Sequence, residues 1–493
     1  MAGPDRTGEE STRERSFLLG ASVLLAAGAA VAFQAIVFNW KLDDAYITFS
    51  YARNWVDGHG IVFNVGERVE GYTCFLWVAL SALGLWLGFP IEAWSTALGI
   101  AAAIGALVAA TGLAWELLPR RYAAAASGAA ILLAAWPPLS WWAASGMETT
   151  LFAFLVTVAL WSYVRSGGRS LATALWLALA GMTRPEGWLL AGLLSADAVR
   201  LHGWRGARLG LVFALLFGPY FVWRVWYYGY LLPNTFYAKV GATADQLARG
   251  VAYFRLFFHD WGAVLLCASL LPLLFPVCRR LVAVYGFLGL YVAYIVAVGG
   301  DVFHFYRFWV PVVPALVVLG WVGAVWVLAG TRTSPDRFAF FAVLVLAAAW
   351  CARATVADLG LQRRNQRTAN FIAALGRNQC RCLLGKTKED DRIATIGIGL
   401  IKYCTNRHVI DMLGLTNLHI ARESRVPMGT GLAGHEKYDS RYVLSLRPKY
   451  IVIPDADAKV LYMPAHRDMW AQPDFRRLYK KDECGYRLVD EGS

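Results

Sequence analysis

The sequence predicts an α-helical polytopic membrane protein with about eleven transmembrane helices and a small C-terminal α/β domain outside the membrane. Three observations point to that class. The 493 residues are 58% hydrophobic and only 16% charged, with a mean hydropathy of +0.45, whereas soluble domains average roughly 45–50% apolar and about 25% charged. Short basic loops alternate with loops that are not basic, as topology signals do. After Ala352 the apolar runs stop and short strand-like segments begin. The net charge of +13 would suggest nucleic acid in a soluble protein. Here the basic residues concentrate in loops between apolar runs, so no nucleic-acid partner is expected. The 21 Trp, 22 Tyr and 26 Phe suit aromatic belts at two membrane interfaces, with membrane lipids as neighbours.

Apolar runs cover residues 16–38, 71–89, 93–118, 122–137, 148–164, 170–183, 186–199, 209–228, 261–277, 281–299, 308–330 and 338–352. A full span needs about 20 residues, so the runs near 122, 170 and 186 are short and should be buried by neighbours or end in a cavity. The first run lacks a cleavage site and reads as a retained span. Pro119–Arg121, Arg165–Arg169, Arg200–Arg205, Arg279-Arg280 and Thr331–Arg337 form the basic set. They alternate with Met147-Glu148, Thr183–Glu186, Leu232–Lys239 and Gly299–Asp301. The positive-inside rule places the first set in the cytoplasm and the second outside. If 71–89 crossed the membrane, the loop bearing Asp43 and Asp44 would fall on the basic side. That run holds Trp77 and Trp86 and ends at Gly88-Phe-Pro90, so it is expected along the outer interface. The N-terminus is then inside and the C-terminus outside.

Three regions follow: a cytoplasmic N-terminus (1–15), a membrane domain (16–355) that includes the outer loop 39–92, and an extracytoplasmic domain (356–493). In the last, residues 353–391 read as polar with helical stretches, and 393–398, 408–412 and 450–453 as buried strands. Cys74, Cys267, Cys278 and Cys351 lie in or beside apolar runs and read as packing residues. Cys380, Cys382, Cys404 and Cys484 fall in the polar part and allow two disulfides, with Cys380 and Cys382 too close to pair with each other.

The chemistry is expected at the outer loops. Asp43 and Asp44 open a helix over 45–56 that Asp57-Gly-His-Gly60 ends. As a structural device they are N-terminal carboxylates. As a functional one, one takes a proton from an acceptor hydroxyl while the other binds or orients a divalent cation such as Mg or Mn. Ser145-Gly-Met-Glu148 has capping-box spacing, which alone would explain it; Thr183-Arg-Pro-Glu186 repeats that spacing and adds Arg184. A cation is poorly placed at a helix N-terminus, so Arg184 is expected to meet an anion such as phosphate. Asn234, Lys239, Asp301, His304 and Arg307 complete the set, the last three spaced to share a helical face. Interfacial snorkelling is the plainer reading of Lys239.

Leu42-Asp-Asp-Ala-Tyr-Ile-Thr-Phe49 and Asp57-Gly-His-Gly-Ile-Val-Phe-Asn-Val-Gly-Glu-Arg-Val-Glu-Gly-Tyr-Thr73 resemble the integral-membrane GT-C glycosyltransferases, in the branch of the terminal arabinofuranosyltransferases. Ser145–Thr149, Arg184–Gly187, Leu232–Lys239, Gly299–Asp301 and Asp411–Thr416 follow in the same order. The resemblance implies sugar transfer from a polyprenyl-phosphate-linked donor to a glycan or lipid acceptor at the outer face of a bacterial inner membrane. It maps the critical acid of the first outer loop to Asp44 or Asp43; on that basis Asp44 is expected to serve the acceptor hydroxyl, with Asp43 or Glu148 assisting. Arg184, Glu186, Asn234, Lys239, Asp301, His304 and Arg307 then serve donor phosphate and substrate. No nucleotide cofactor is expected, since the chain has neither a P-loop nor a Gly-x-Gly-x-x-Gly after a strand. A transporter or flippase of lipid-linked sugar is the rival, because charged loops at broken helices fit it too.

Overall fold

Apolar sequence becomes helix in the computed structural model, which describes residues 6–330, 336–424, 426–455 and 463–489, with the backbone alone for 6–17, 19, 330 and 336–358. In chain order the helices of the membrane body are α1 (Arg6–Val37), α2 (Asp43–Val56), α3 (Phe75–Trp86), α4 (Ile91–Leu117), α5 (Gly128–Ala134), α6 (Pro137–Ala144), α7 (Thr149–Ser166) and α8 (Ala172–Thr183). They continue as α9 (Glu186–His202), α10 (Ala207–Tyr228), α11 (Asn234–Lys239), α12 (Ala244–Phe257), α13 (Ala263–Ser269), α14 (Val282–Ala297) and α15 (Val313–Gly330). This is a multi-pass membrane protein.

By length and composition, five helical stretches among the described residues can cross a membrane, or six if one bent pair counts. The expected number of eleven is therefore not reached on that criterion. The bent pair joins residues 120–134 to α6 at 63°. Its cause is Pro137-Pro138, which follows an extended Trp136 and cannot continue the preceding hydrogen-bond ladder. The stretch Glu186–Tyr228 is helical over 43 residues and holds a window apolar enough to span, yet it is a hairpin. Trp188 packs on Phe217 and Phe221, and Gly206 lies against the Ala198 carbonyl, so α9 and α10 run antiparallel. At 12 residues, α3 rises roughly 18 Å, less than the hydrocarbon thickness of about 30 Å. The run 338–352 falls where side chains are not described, and Cys351 lies there too.

A 51-residue helix, α16 (Asp336–Lys386), carries the chain out of the body. Beyond it lie β1 (Arg392–Thr395), α17 (Ile398–Thr405), β2 (His408–Asp411), α18 (Leu418–Glu423), α19 (Ser440–Ser445), β3 (Tyr450–Val452), α20 (Pro464–Ala471), α21 (Pro473–Leu478), β4 (Tyr479–Asp482) and β5 (Gly485–Leu488). The sheet order is β2-β1-β3-β5-β4. β1 pairs parallel with β2 and β3, while β5 runs antiparallel to β3 and β4. The predicted strands 408–412 and 450–453 form, each within a residue or two. The one expected over 393–398 stops at Thr395, because Ile398 already opens α17. Two disulfides, Cys380–Cys404 and Cys382–Cys484, fasten α16 to α17 and to the turn between β4 and β5.

The sheet domain does not hang free. Asn64 of the loop between α2 and α3 donates to the Val409 carbonyl and accepts from the Val409 amide, 3.0 Å each. Arg53 stacks on Tyr403 at 3.5 Å and donates to its carbonyl. Buried residues of both regions, among them Phe49, Trp142, Ile393, Ile401 and Tyr450, belong to one continuous apolar core.

Candidate functional site

A cavity of about 480 Å³ lies where α2, the start of α7, the turn between α8 and α9, α11 and the segment after α14 meet the sheet domain. Asp44, Glu148, Arg184, Glu186, Lys239, Asp301 and Arg307 all line it. Segments that the basic-loop alternation assigned to one face of the membrane thus converge on one space.

Their pairing is uneven. Arg307 donates from Nε (2.7 Å) and Nη2 (3.2 Å) to the two oxygens of Asp301. Arg184 Nε lies 3.2 Å from Glu148, and Tyr294 bonds Glu186. Asp44 and Lys239 form no ion pair or side-chain hydrogen bond among the described residues. They are an acid and a base that feel each other across the cavity: burial lowers the Lys239 pKa, and the Asp44 charge pulls it back up. Four further polar atoms of the lining are buried without a partner among the described residues, Glu148 Oε2, Arg184 Nη1, Glu186 Oε2 and Thr235 Oγ1. Native interiors satisfy most such groups, so this lining has hydrogen-bonding capacity left for a polar ligand.

Local sequence explains how these groups are held. The two expected capping boxes do not form. Ser145 bonds back to the Trp142 carbonyl and accepts from the Met147 amide, and Glu148 itself occupies the N-cap of α7 without capping it. Thr183 bonds back to the Leu179 carbonyl at the end of α8. Both glutamates are thereby released to the cavity, because a carboxylate folded over its own backbone could not reach Arg184. The shared helical face of Asp301, His304 and Arg307 is also absent. Gly299, Gly300, Phe305 and Tyr306 take positive φ, so the segment is a chain of turns. The turns bring Asp301 onto Arg307 and leave His304 exposed, outside the cavity.

Asp43 and Asn234 lie elsewhere as well, and both hold the sheet domain. The Asp43 oxygens accept from the Gly399 and Leu400 amides, 2.9 Å each, at the N-terminus of α17. Burial pushes the Asp43 pKa up, the two amides oppose it, and neighbouring Asp44 adds to it. Asn234 donates to the carbonyls of Gly414 and Leu415 at 2.8 and 3.0 Å. With both Asp43 oxygens on amides, the tandem aspartates do not fit a protein-held divalent cation. Among the described residues no group of three or more His, Cys, Asp or Glu side chains gathers as metal ligands.

Sequence reasoning missed the wall that the C-terminal domain supplies. Leu415, Ala433, Gly434 and His435 line the cavity. The first sits in a loop built by Asp411, whose carboxylate accepts from the Leu413 and Thr416 amides at 2.9 and 2.7 Å. The others sit in a loop held by Glu436, which accepts from the Gly429 and Gly431 amides and pairs with Arg249 at 3.0 Å. Asp411-Met-Leu-Gly-Leu-Thr416 was visible as a motif. Nothing local marks His435.

Comparison with known proteins agrees with this architecture. Residues 361–488 match a family model described as a domain of unknown function (DUF8728). The chain is 32% identical over 266 residues to a terminal β-(1→2)-arabinofuranosyltransferase of Mycobacterium tuberculosis, covering 49% of this chain and 42% of that protein. It is 28% identical over 317 residues to the protein of the same name from Corynebacterium glutamicum, covering 54% and 45%. Each match spans less than half of the relative's length. Among solved structures, the archaeal oligosaccharyltransferase AglB from Archaeoglobus fulgidus, in complex with an inhibitory peptide and a dolichol-phosphate, superposes with a TM-score of 0.51 at 12% identity, over 80% of this chain and 64% of that one. The fold is of the GT-C type. The membrane body and the sheet domain docked on it together enclose the cavity.

Proposed function

We propose that the protein is a glycosyltransferase that moves a sugar from a polyprenyl-phosphate carrier to a hydroxyl-bearing glycan or lipid at the outer face of a bacterial inner membrane. The arabinofuranosyl relatives make arabinofuranose the first sugar to test. One observation carries the reading: Asp44 and Lys239, an acid and a base, have no side-chain partner among the described residues, in a cavity whose arginines are matched to carboxylates. Asp44 takes the proton of the acceptor hydroxyl as its oxygen bonds to the sugar's anomeric carbon. The bond from that carbon to the phosphate breaks, and the phosphate leaves on its prenyl carrier. Lys239 faces the charge that grows on the departing phosphate, with Arg184 Nη1 as a further donor. Fixed cations aimed at developing charge in a water-poor cavity are worth more than in water. Asp301 and Glu148 hold the two arginines in place; they also keep the cavity from becoming so cationic that the phosphate, once released, would be retained.

The test uses the purified full chain in proteoliposomes with a panel of radiolabelled prenyl-phosphoryl sugars and an arabinofuranosyl oligosaccharide. Label on the oligosaccharide is the expected result. Label that only changes leaflet, still on its carrier, would replace transfer by the rival transport reading.

A further inference from the structure

We propose that His435, carried by the C-terminal domain, is a substrate-contacting residue that binds a hydroxyl of the acceptor glycan. The proposal rests on the glycosyl-transfer reading above and assigns the acceptor side of the same cavity. Three observations support it.

First, His435 lines the cavity together with Asp44 and Lys239. Second, its ring is oriented. Nδ1 lies 3.0 Å from the Ala433 carbonyl, which can only accept, so Nδ1 carries the hydrogen. In the neutral ring Nε2 is then the remaining polar atom, an acceptor with no partner among the described residues. An acceptor lone pair suits a sugar hydroxyl, which must donate. Third, the loop is fixed. The His435 amide bonds the Leu432 carbonyl at 2.9 Å. Glu436 next to it is buried, paired with Arg249, and bonded to two loop amides. Arg249 also donates to the Gly431 and Gly299 carbonyls, at 2.9 and 3.0 Å. The loop is therefore tied to the turn that presents Asp301. Gly434, with φ +76°, lies against the Lys239 stem, where a Cβ would come within 3.2 Å of Lys239 Cε. The domain thus closes the cavity beside the proposed phosphate-binding lysine, and among the described residues His435 is the only titratable side chain it adds to the lining. Donor contacts come from the membrane body, so the acceptor is the ligand left for the wall contributed by the matched domain of unknown function.

The experiment compares His435→Ala and His435→Gln in the full chain, with His419→Gln as control. His419 belongs to the same domain, pairs with Asp439 and lies outside the cavity. Loss of one neutral hydrogen bond predicts an acceptor KM raised about tenfold in His435→Ala, with the donor KM unmoved. His435→Gln, whose amide oxygen can accept where Nε2 did, recovers most of the loss, and the control leaves both KM values alone. A second readout needs no turnover. Carbethoxylation of His435, followed by mass spectrometry, is slowed by an arabinofuranosyl oligosaccharide and not by undecaprenyl phosphate. The proposal falls if both KM values move together, if neither moves, or if only the prenyl phosphate protects. If the wild-type chain transfers no sugar at all, the functional reading fails, and the protection experiment alone decides whether His435 meets glycan.

Discussion

Asp44→Asn and Asp43→Asn, compared side by side, test the assignment at the start of α2. The two residues are adjacent and chemically identical, so any difference must come from what each carboxylate meets. The Asp44 side chain faces the cavity with no hydrogen bond among the described residues, so the amide costs the fold little, within about 0.5 kcal/mol. It removes the base, worth roughly 10²–10⁴-fold in turnover, or about 3–5 kcal/mol of barrier. Asp43 accepts from both the Gly399 and Leu400 amides. Asparagine keeps one acceptor oxygen and turns an NH2 toward the other amide, so one charge-assisted bond worth about 1.5–3 kcal/mol is lost. That loss falls on docking of the sheet domain rather than on the chemistry. Turnover is read with saturating donor and acceptor, and docking by limited proteolysis of the intact protein in detergent. Asp44→Asn should be nearly inactive and as protease-resistant as wild type; Asp43→Asn should retain measurable turnover and release the domain more readily. Gly399→Ala should copy Asp43→Asn with the carboxylate itself retained, since a Cβ there would meet the Asp43 carbonyl at 1.9 Å and its Oδ2 at 3.1 Å. If Asp44→Asn kept more than about a tenth of wild-type turnover, or if Asp43→Asn abolished it in a fully resistant protein, the division of roles would be refuted.

Lys239 should set an alkaline limit on donor binding. Its pKa is lowered by burial, so its charge is present below that value and lost as pH rises through it; donor KM should climb at a lower pH than an exposed lysine would give. Lys239→Arg should remove that limb, because guanidinium stays charged, and a limb that persisted would exclude Lys239 as its source. Glu70 pairs with Arg224 at 2.7 Å, both side chains 4% exposed. Glu70→Gln should cost about 3–5 kcal/mol by stranding a buried cation, read as a lower unfolding temperature, whereas the charge-free double variant Glu70→Gln/Arg224→Met should recover much of it. Reduction of the Cys380–Cys404 and Cys382–Cys484 bridges should loosen the domain by about 2–5 kcal/mol and reduce turnover along with protease resistance. Unchanged resistance after complete reduction would count against α17 being held in place from α16.

The membrane class, the approximate positions of its apolar helices and the cavity carboxylates and cations were legible in the chain because each has a local cause. Lipid as solvent demands runs of apolar residues, and the cost of charge at a membrane surface makes Asp44, Glu148, Arg184 and Arg307 stand out. Capping-box spacing misled at Ser145 and Thr183 for a related reason. The same residue types satisfy a helix end or a distant partner, and spacing alone does not say which. The hairpin β4–β5 passed unnoticed because Tyr479-Lys-Lys-Asp482 is a charged edge strand with little apolar alternation.

By itself the sequence determined which segments leave water and which acids and bases stand at their ends, since hydropathy and charge act residue by residue. Only the tertiary structure decided which of two neighbouring aspartates faces the cavity. The same is true of the two arginines that are neutralised and of the histidine, more than 390 residues beyond Asp44, that closes the wall. Those outcomes depend on hydrogen-bond partners brought in from other helices and from the docked domain, and a partner distant in the chain leaves no periodic mark near the residue it claims.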